Sequence, residues 1–150
     1  MKLLKFLAVL TIAFAQLTWA NSVEISEQWV REAPPNARVL AAFMVIDNQS
    51  PESQTLVSVS CDDFERVEMH QTVEHDGMMH MNKQEKLVIE SKQQLILKPG
   101  SYHLMLMGIK RPLRAGDEVE LTLKFANDTE LVVKTPVRKS SSNKKPVDNH

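Results

Sequence analysis

The chain has 150 residues and a mass of 17.0 kDa, room for one domain and not comfortably for two. At 43% hydrophobic and 25% charged residues with a formal net charge of -1, it is neither a disordered chain nor, as a whole, a nucleic-acid binder. A single cysteine excludes an intramolecular disulfide framework, a Cys-x-x-Cys redox pair and a zinc knuckle. Methionine is the anomaly: of eight, six fall between Met69 and Met107.

Residues 1–20 combine Lys2 and Lys5, an apolar run from Phe6 to Ala15, and small Thr18 and Ala20 ahead of Asn21. That is the pattern of a secretory signal peptide cleaved after Ala20. The run is too short to span ~30 Å of hydrocarbon as a helix, and no cysteine follows it to carry a lipid. The expected product is a soluble, extracytoplasmic chain with no stable membrane insertion and no nucleic-acid partner. Without Lys2 and Lys5 it has 16 basic and 19 acidic residues.

From residue 21 to 137 the pattern is short and extended, with little helical periodicity. Strands are predicted over 23–29, 38–47, 55–60, 67–72, 78–81, 87–90, 94–97, 102–109, 118–125 and 130–135. Val119, Leu121, Leu123 and Phe125 alternate with Glu118, Glu120, Thr122 and Lys124, the mark of a half-buried strand. Pro34-Pro35-Asn36, Asn48-Gln49-Ser50-Pro51, Asp76-Gly77, Pro99-Gly100 and Asn127-Asp128 supply turn chemistry between them. Many short strands without helices predict an all-β fold, a sandwich or small barrel. Residues 138–150, rich in Ser, Asn and Lys, are expected to form a flexible basic tail; without it, the body has 12 bases against 18 acids.

In Tyr102-His103-Leu104-Met105-Leu106-Met107, strict alternation puts His103, Met105 and Met107 on one strand face. Same-face neighbours lie ~6.6 Å apart, so His103 and Met105 can share an ion, whereas Met107, ~13 Å from His103, reads as packing. Asp76-Gly77 is a strong two-residue hairpin signal. It would pair His75 with Met78 and Thr72 with Met81, leaving His70 diagonal to Met81 on one face. Met69, His75 and His80 would fall on the other; Met69 is expected to pack, and His75 with His80 is a weak auxiliary metal pair at most. Met78 and Met79 near the turn are expected to be exposed. Cys61 reads as a small buried hydrophobe and Asp62-Asp63 as a solvated loop.

Two imidazoles and two thioethers select the metal. Thioether sulfur is soft and neutral, which favours Cu(I) over Zn, Mg or Ca. No cysteine joins these donors to make a blue-copper set, so reversible holding is expected rather than electron transfer. Imidazoles protonate near pH 6.5 and thioethers do not, so acid should weaken such a site through its histidines. No Ser/His/Asp order, Gly-rich phosphate loop or paired catalytic carboxylates support an enzyme, and the chain is short for the second copper site and cleft that a copper monooxygenase needs.

The spacing His70-x10-Met81-x21-His103-x-Met105 resembles the signature of the PCu(A)C family of periplasmic copper chaperones. Lys98-Pro99-Gly100, Met107-Gly108, Pro112-Leu113, Gly116-Asp117, Trp29 with Pro34-Pro35, and the stretch from Ala41 to Asn48 agree with it. The resemblance implies a cupredoxin-like β-sandwich or Greek-key barrel of short antiparallel strands over 21–137. It also implies one Cu(I) held by His70, Met81, His103 and Met105, and delivery to the CuA centre of cytochrome c oxidase. The implied partner is apo subunit II of that oxidase or a related copper chaperone; the alternative is periplasmic copper scavenging with no dedicated recipient. Two departures stand out: Ser101 replaces a second glycine after Gly100, and the tail offers only His150.

Overall fold

The computed structural model describes residues 22–140. The expected leader and the tail beyond residue 140 lie outside them. Ten strands follow in order: β1 (Val23–Arg31), β2 (Val39–Asn48), β3 (Gln54–Ser60), β4 (Phe64–His75), β5 (Met78–Gln84), β6 (Leu87–Ile89), β7 (Gln94–Leu97), β8 (Tyr102–Ile109), β9 (Glu118–Phe125) and β10 (Glu130–Arg138). Every predicted strand is present, and β7, β8 and β9 have the predicted bounds.

Hydrogen bonding runs β5-β4-β8-β2-β1-β10-β9-β3-β6, with β7 also on β2, and the path does not close. The ribbon folds into two layers, one built on β2 and the other on β9, as in a cupredoxin-like sandwich. The layers share a core. Leu40, Ala42, Met44 and Ile46 of β2 and Leu104 and Leu106 of β8 meet Val119, Leu121, Leu123 and Phe125 of β9. Burying each large apolar side chain contributes about 1.5–3 kcal/mol, and the alternation of β9 is what aims four of them inward.

Three features depart from the sequence reading. β1 and β10 pair in parallel, Val30 opposite Val137, the one exception to antiparallel order among the described residues. β10 runs past Pro136 to Arg138, because the Val137 N–H donates to Asp117 O (2.8 Å) and carries the ladder beyond the proline, so Arg138 is the last residue of this strand. β1 is bulged between Ser26 and Trp29, with Glu27 at φ 53°. The extra residue inverts the alternation: Val23 and Ile25 pack inward before the bulge and Val30 after it. Trp29 thereby faces outward, where its ring lies 4.9 Å from Phe43 and under the Arg31 guanidinium.

Asp63 is likewise more than a solvated loop residue, since its carboxylate takes both Arg111 Nε and Nη2 and ties the end of β8 to the β3–β4 connection.

Candidate functional site

The site face is the outer surface of β5, β4 and β8. The Asp76-Gly77 turn has both residues left-handed (φ 52° and 74°), a type I′ geometry matched to strand twist. It sets the predicted register: His75 pairs with Met78, Thr72 with Met81 and His70 with Lys83. On the other edge of β4, His70 pairs directly with His103 and Glu68 with Met105. His70, His103, Met105 and Met81 are thus brought to one face, the two imidazoles side by side and a methionine diagonal to His70 on either flank.

The rings of His70 and His103 stack with centroids 5.9 Å apart and planes 30° apart. His103 is only 5% exposed although it points away from the core. Phe43, one residue past the Ala42–Leu104 pair, lies on the same side of the sheet and is itself covered by Trp29. Met81, by contrast, is 62% exposed. Met69 is buried in the core, and Met107 lies one pair further along, opposite Arg66. Met78 and Met79 are exposed at the hairpin tip, as expected.

Each imidazole has one nitrogen committed to an acceptor. His103 Nδ1 lies 3.0 Å from Ser101 O, and His70 Nε2 lies 2.9 Å from Glu68 Oε2. A backbone carbonyl and an ionised carboxylate only accept, so the facing nitrogen carries the proton. The other nitrogen then keeps its lone pair: Nε2 of His103 and Nδ1 of His70. The latter is buried without any hydrogen-bond partner. A buried nitrogen lone pair with nothing to accept is costly in a structural histidine and necessary in a ligand.

Glu68 was not singled out by the sequence reading. Its hydrogen bond to His70 holds its carboxyl below the usual carboxylate range; Lys83 Nζ at 3.5 Å and Arg66 Nε at 3.3 Å add to this, and partial desolvation opposes it. The signal was available two residues before His70 on a strand, since that spacing shares a face. Ser101, the departure from the family pattern, does not need the glycine it replaces, because Gly100 takes the left-handed backbone (φ 79°). The Ser101 carbonyl accepts from both Thr72 N and His103 Nδ1, so this turn locks β4, β8 and the imidazole together.

Cys61 is buried beside the core, and burial pushes its thiol up from the ordinary range. Iodoacetamide at neutral pH is therefore expected to label it far more slowly in the folded protein than in denaturant. Equal rates, followed by mass spectrometry, would contradict its placement.

The sandwich and its His/Met face define the class. The copper-bound PCuAC domain from PmoF2 has the same fold, with a TM-score of 0.68 at 19% identity over 79% of this chain and 94% of that one. The Cu(I) form of DR1885 from Deinococcus radiodurans is similar at 32% identity, with a TM-score of 0.64 over 85% of this chain and 87% of that one. "Putative lipoprotein Lxx21020" of Leifsonia xyli subsp. xyli is 31% identical over 120 residues, 79% of this chain and 71% of its own length. The model of the family described as "Putative lipoprotein LpqE-like" matches residues 23–137, and the chain belongs to that family. The resemblance to PCu(A)C proteins carried by the His-Met spacing thus holds for family and fold.

Proposed function

We propose that this chain is an extracytoplasmic copper chaperone that holds one Cu(I) through His70, His103, Met105 and Met81. The observation that carries this reading is the pair of adjacent imidazoles, each with a single bare nitrogen, flanked by thioethers on one face. Two borderline nitrogens and two neutral sulfurs suit Cu(I) and suit hard cations poorly. The Cu(I)-bound relative supports the choice of ion.

The uneven burial of the donors supports a carrier. His103 is fixed by Ser101 and His70 by Glu68, while Met81 sits exposed on a two-stranded arm. Release begins when an incoming thiolate displaces the Met81 thioether; the neutral methionine leaves without proton transfer, and the imidazoles follow. Such exchange leaves copper as Cu(I) throughout. The recipient we assign is the CuA centre of apo subunit II of cytochrome c oxidase, reached in the periplasm after removal of residues 1–20. The relative named a lipoprotein supports a location outside the cytoplasm.

Anaerobic titration with Cu(I) against a competing chelator tests the site. The protein is expected to retain one tightly held equivalent. Met81→Ala, which removes an exposed side chain and should leave the fold intact, is expected to weaken retention about 10-fold or more, some 1.4 kcal/mol. Equal retention by both rejects the assignment of Met81.

A further inference from the structure

The arm that carries Met81 has a second face. β4 makes its last pair with β8 at Gln71–Tyr102 and then continues to His75 with β5 as its sole partner. Beyond that point the hairpin is a two-stranded projection. Its front, in line with His70, presents Thr72, Glu74, Met79 and Met81. Its back presents Val73, His75, Met78 and His80, since Met78 is opposite His75 and His80 opposite Val73.

We infer that His75, Met78 and His80 form a second, weaker Cu(I) site on the back of this hairpin, separate from the His70–His103 site. Directly opposed side chains have Cβ atoms ~4.5–5.5 Å apart and diagonal ones ~7–8 Å, within reach of an imidazole or a methionine. Met78 is two residues before His80 on one strand and directly opposite His75 on the other, so the three donors surround one point above the arm. The type I′ turn holds the His75–Met78 pair in place. A carboxylate, Asp76 Oδ2, also lies 3.3 Å from His75 Nε2, with both side chains exposed, so the His75 ring stays free to turn either nitrogen toward an ion.

The third donor decides which ion is taken. Among the described residues no three His, Cys, Asp or Glu side chains cluster as a metal site. The back of the arm therefore reaches three donors only by counting a thioether, and that favours Cu(I) or its analogue Ag(I) over Zn(II). All three donors are exposed, Met78 at 63%, and no ring is packed in place as His103 is, so the ion is held more loosely than on the front. The hairpin then carries copper-binding side chains on both faces.

The test is an anaerobic titration of the protein with Cu(I), and with Ag(I), followed by methionine methyl and amide NMR. The first equivalent is expected to move the Met81 and Met105 methyls, and the second the Met78 methyl. The double substitution His75→Ala/His80→Ala is expected to abolish the second step and leave the first unchanged. His103→Ala should do the reverse, so failure of the front site and failure of the back site give different results. A protein that takes up only one equivalent, a second step that survives the double substitution, or a second step without movement of Met78 overturns the inference. A Met78 shift with Zn(II) equal to that with Cu(I) overturns the choice of ion.

Discussion

Replacing His103 by alanine is expected to abolish stoichiometric retention of Cu(I) at the front site, a loss of about 1,000-fold or roughly 4 kcal/mol. His103 supplies a nitrogen that is already oriented, since Ser101 O fixes its tautomer and ring before any ion arrives. The turn itself does not depend on the ring, because Ser101 O also accepts the Thr72 N–H and Lys98 N donates to Tyr102 O. The amide spectrum of the variant should therefore remain that of a folded sandwich. Glu68→Gln should act on the same site at one remove, lowering affinity about 10- to 100-fold. A glutamine side chain can either accept from or donate to His70 Nε2, so it no longer holds the ring in the tautomer that leaves the Nδ1 lone pair free. Imidazole 15N shifts of the copper-free protein read this directly: protonated Nε2 in the parent, a shift towards protonated Nδ1 in the variant. Unchanged shifts and unchanged affinity would refute the role of Glu68.

What was legible in the sequence is what local rules govern. Asp76-Gly77 dictates a two-residue turn, the turn dictates the register, and the register places His70 diagonal to Met81. Alternation along β8 separates His103 and Met105 from the core residues Leu104 and Leu106. The direct pairing of His70 with His103 was not legible, because it joins strands more than 30 residues apart through a register no turn sets. The parallel pairing of β1 with β10 was hidden for the same reason, and the bulge at Glu27 by a local conformation that period-2 reasoning assumes away. Glu68 was visible as a residue on the His70 face and overlooked, since an acidic side chain on an outward position ordinarily reads as solvated.

Asn48 shows the same limit in the core, and Asn48→Ala is expected to be the most destabilising single polar substitution in the domain. As a turn residue before Gln49-Ser50-Pro51 it looked unremarkable, yet it is fully buried. Its Nδ2 lies within 2.7 Å of Glu52 O, 3.0 Å of Ile89 O and 3.1 Å of Glu90 O, and its Oδ1 accepts from Ser50 N at 3.0 Å and Ser50 Oγ at 2.7 Å. One side chain thus joins the end of β2, in the site-bearing layer, to β6 at the edge of the other. Truncation strands several polar groups at once, at about 1–3 kcal/mol for each one left buried without a partner, or roughly 3–5 kcal/mol together. For a domain of this size that lowers Tm by roughly 10–20 °C. Asn48→Asp should fare no better: it keeps the acceptor for Ser50 but sets a second acceptor oxygen against three carbonyls. Because the His70–His103 pair is held by β4, β8 and the Ser101 turn, Cu(I) stoichiometry below the lowered Tm should match the parent. A thermal shift under about 3 °C would mean that water replaces the side chain. A loss of copper binding in the still-folded variant would mean that the two layers must be joined through Asn48 for the site face to keep its shape.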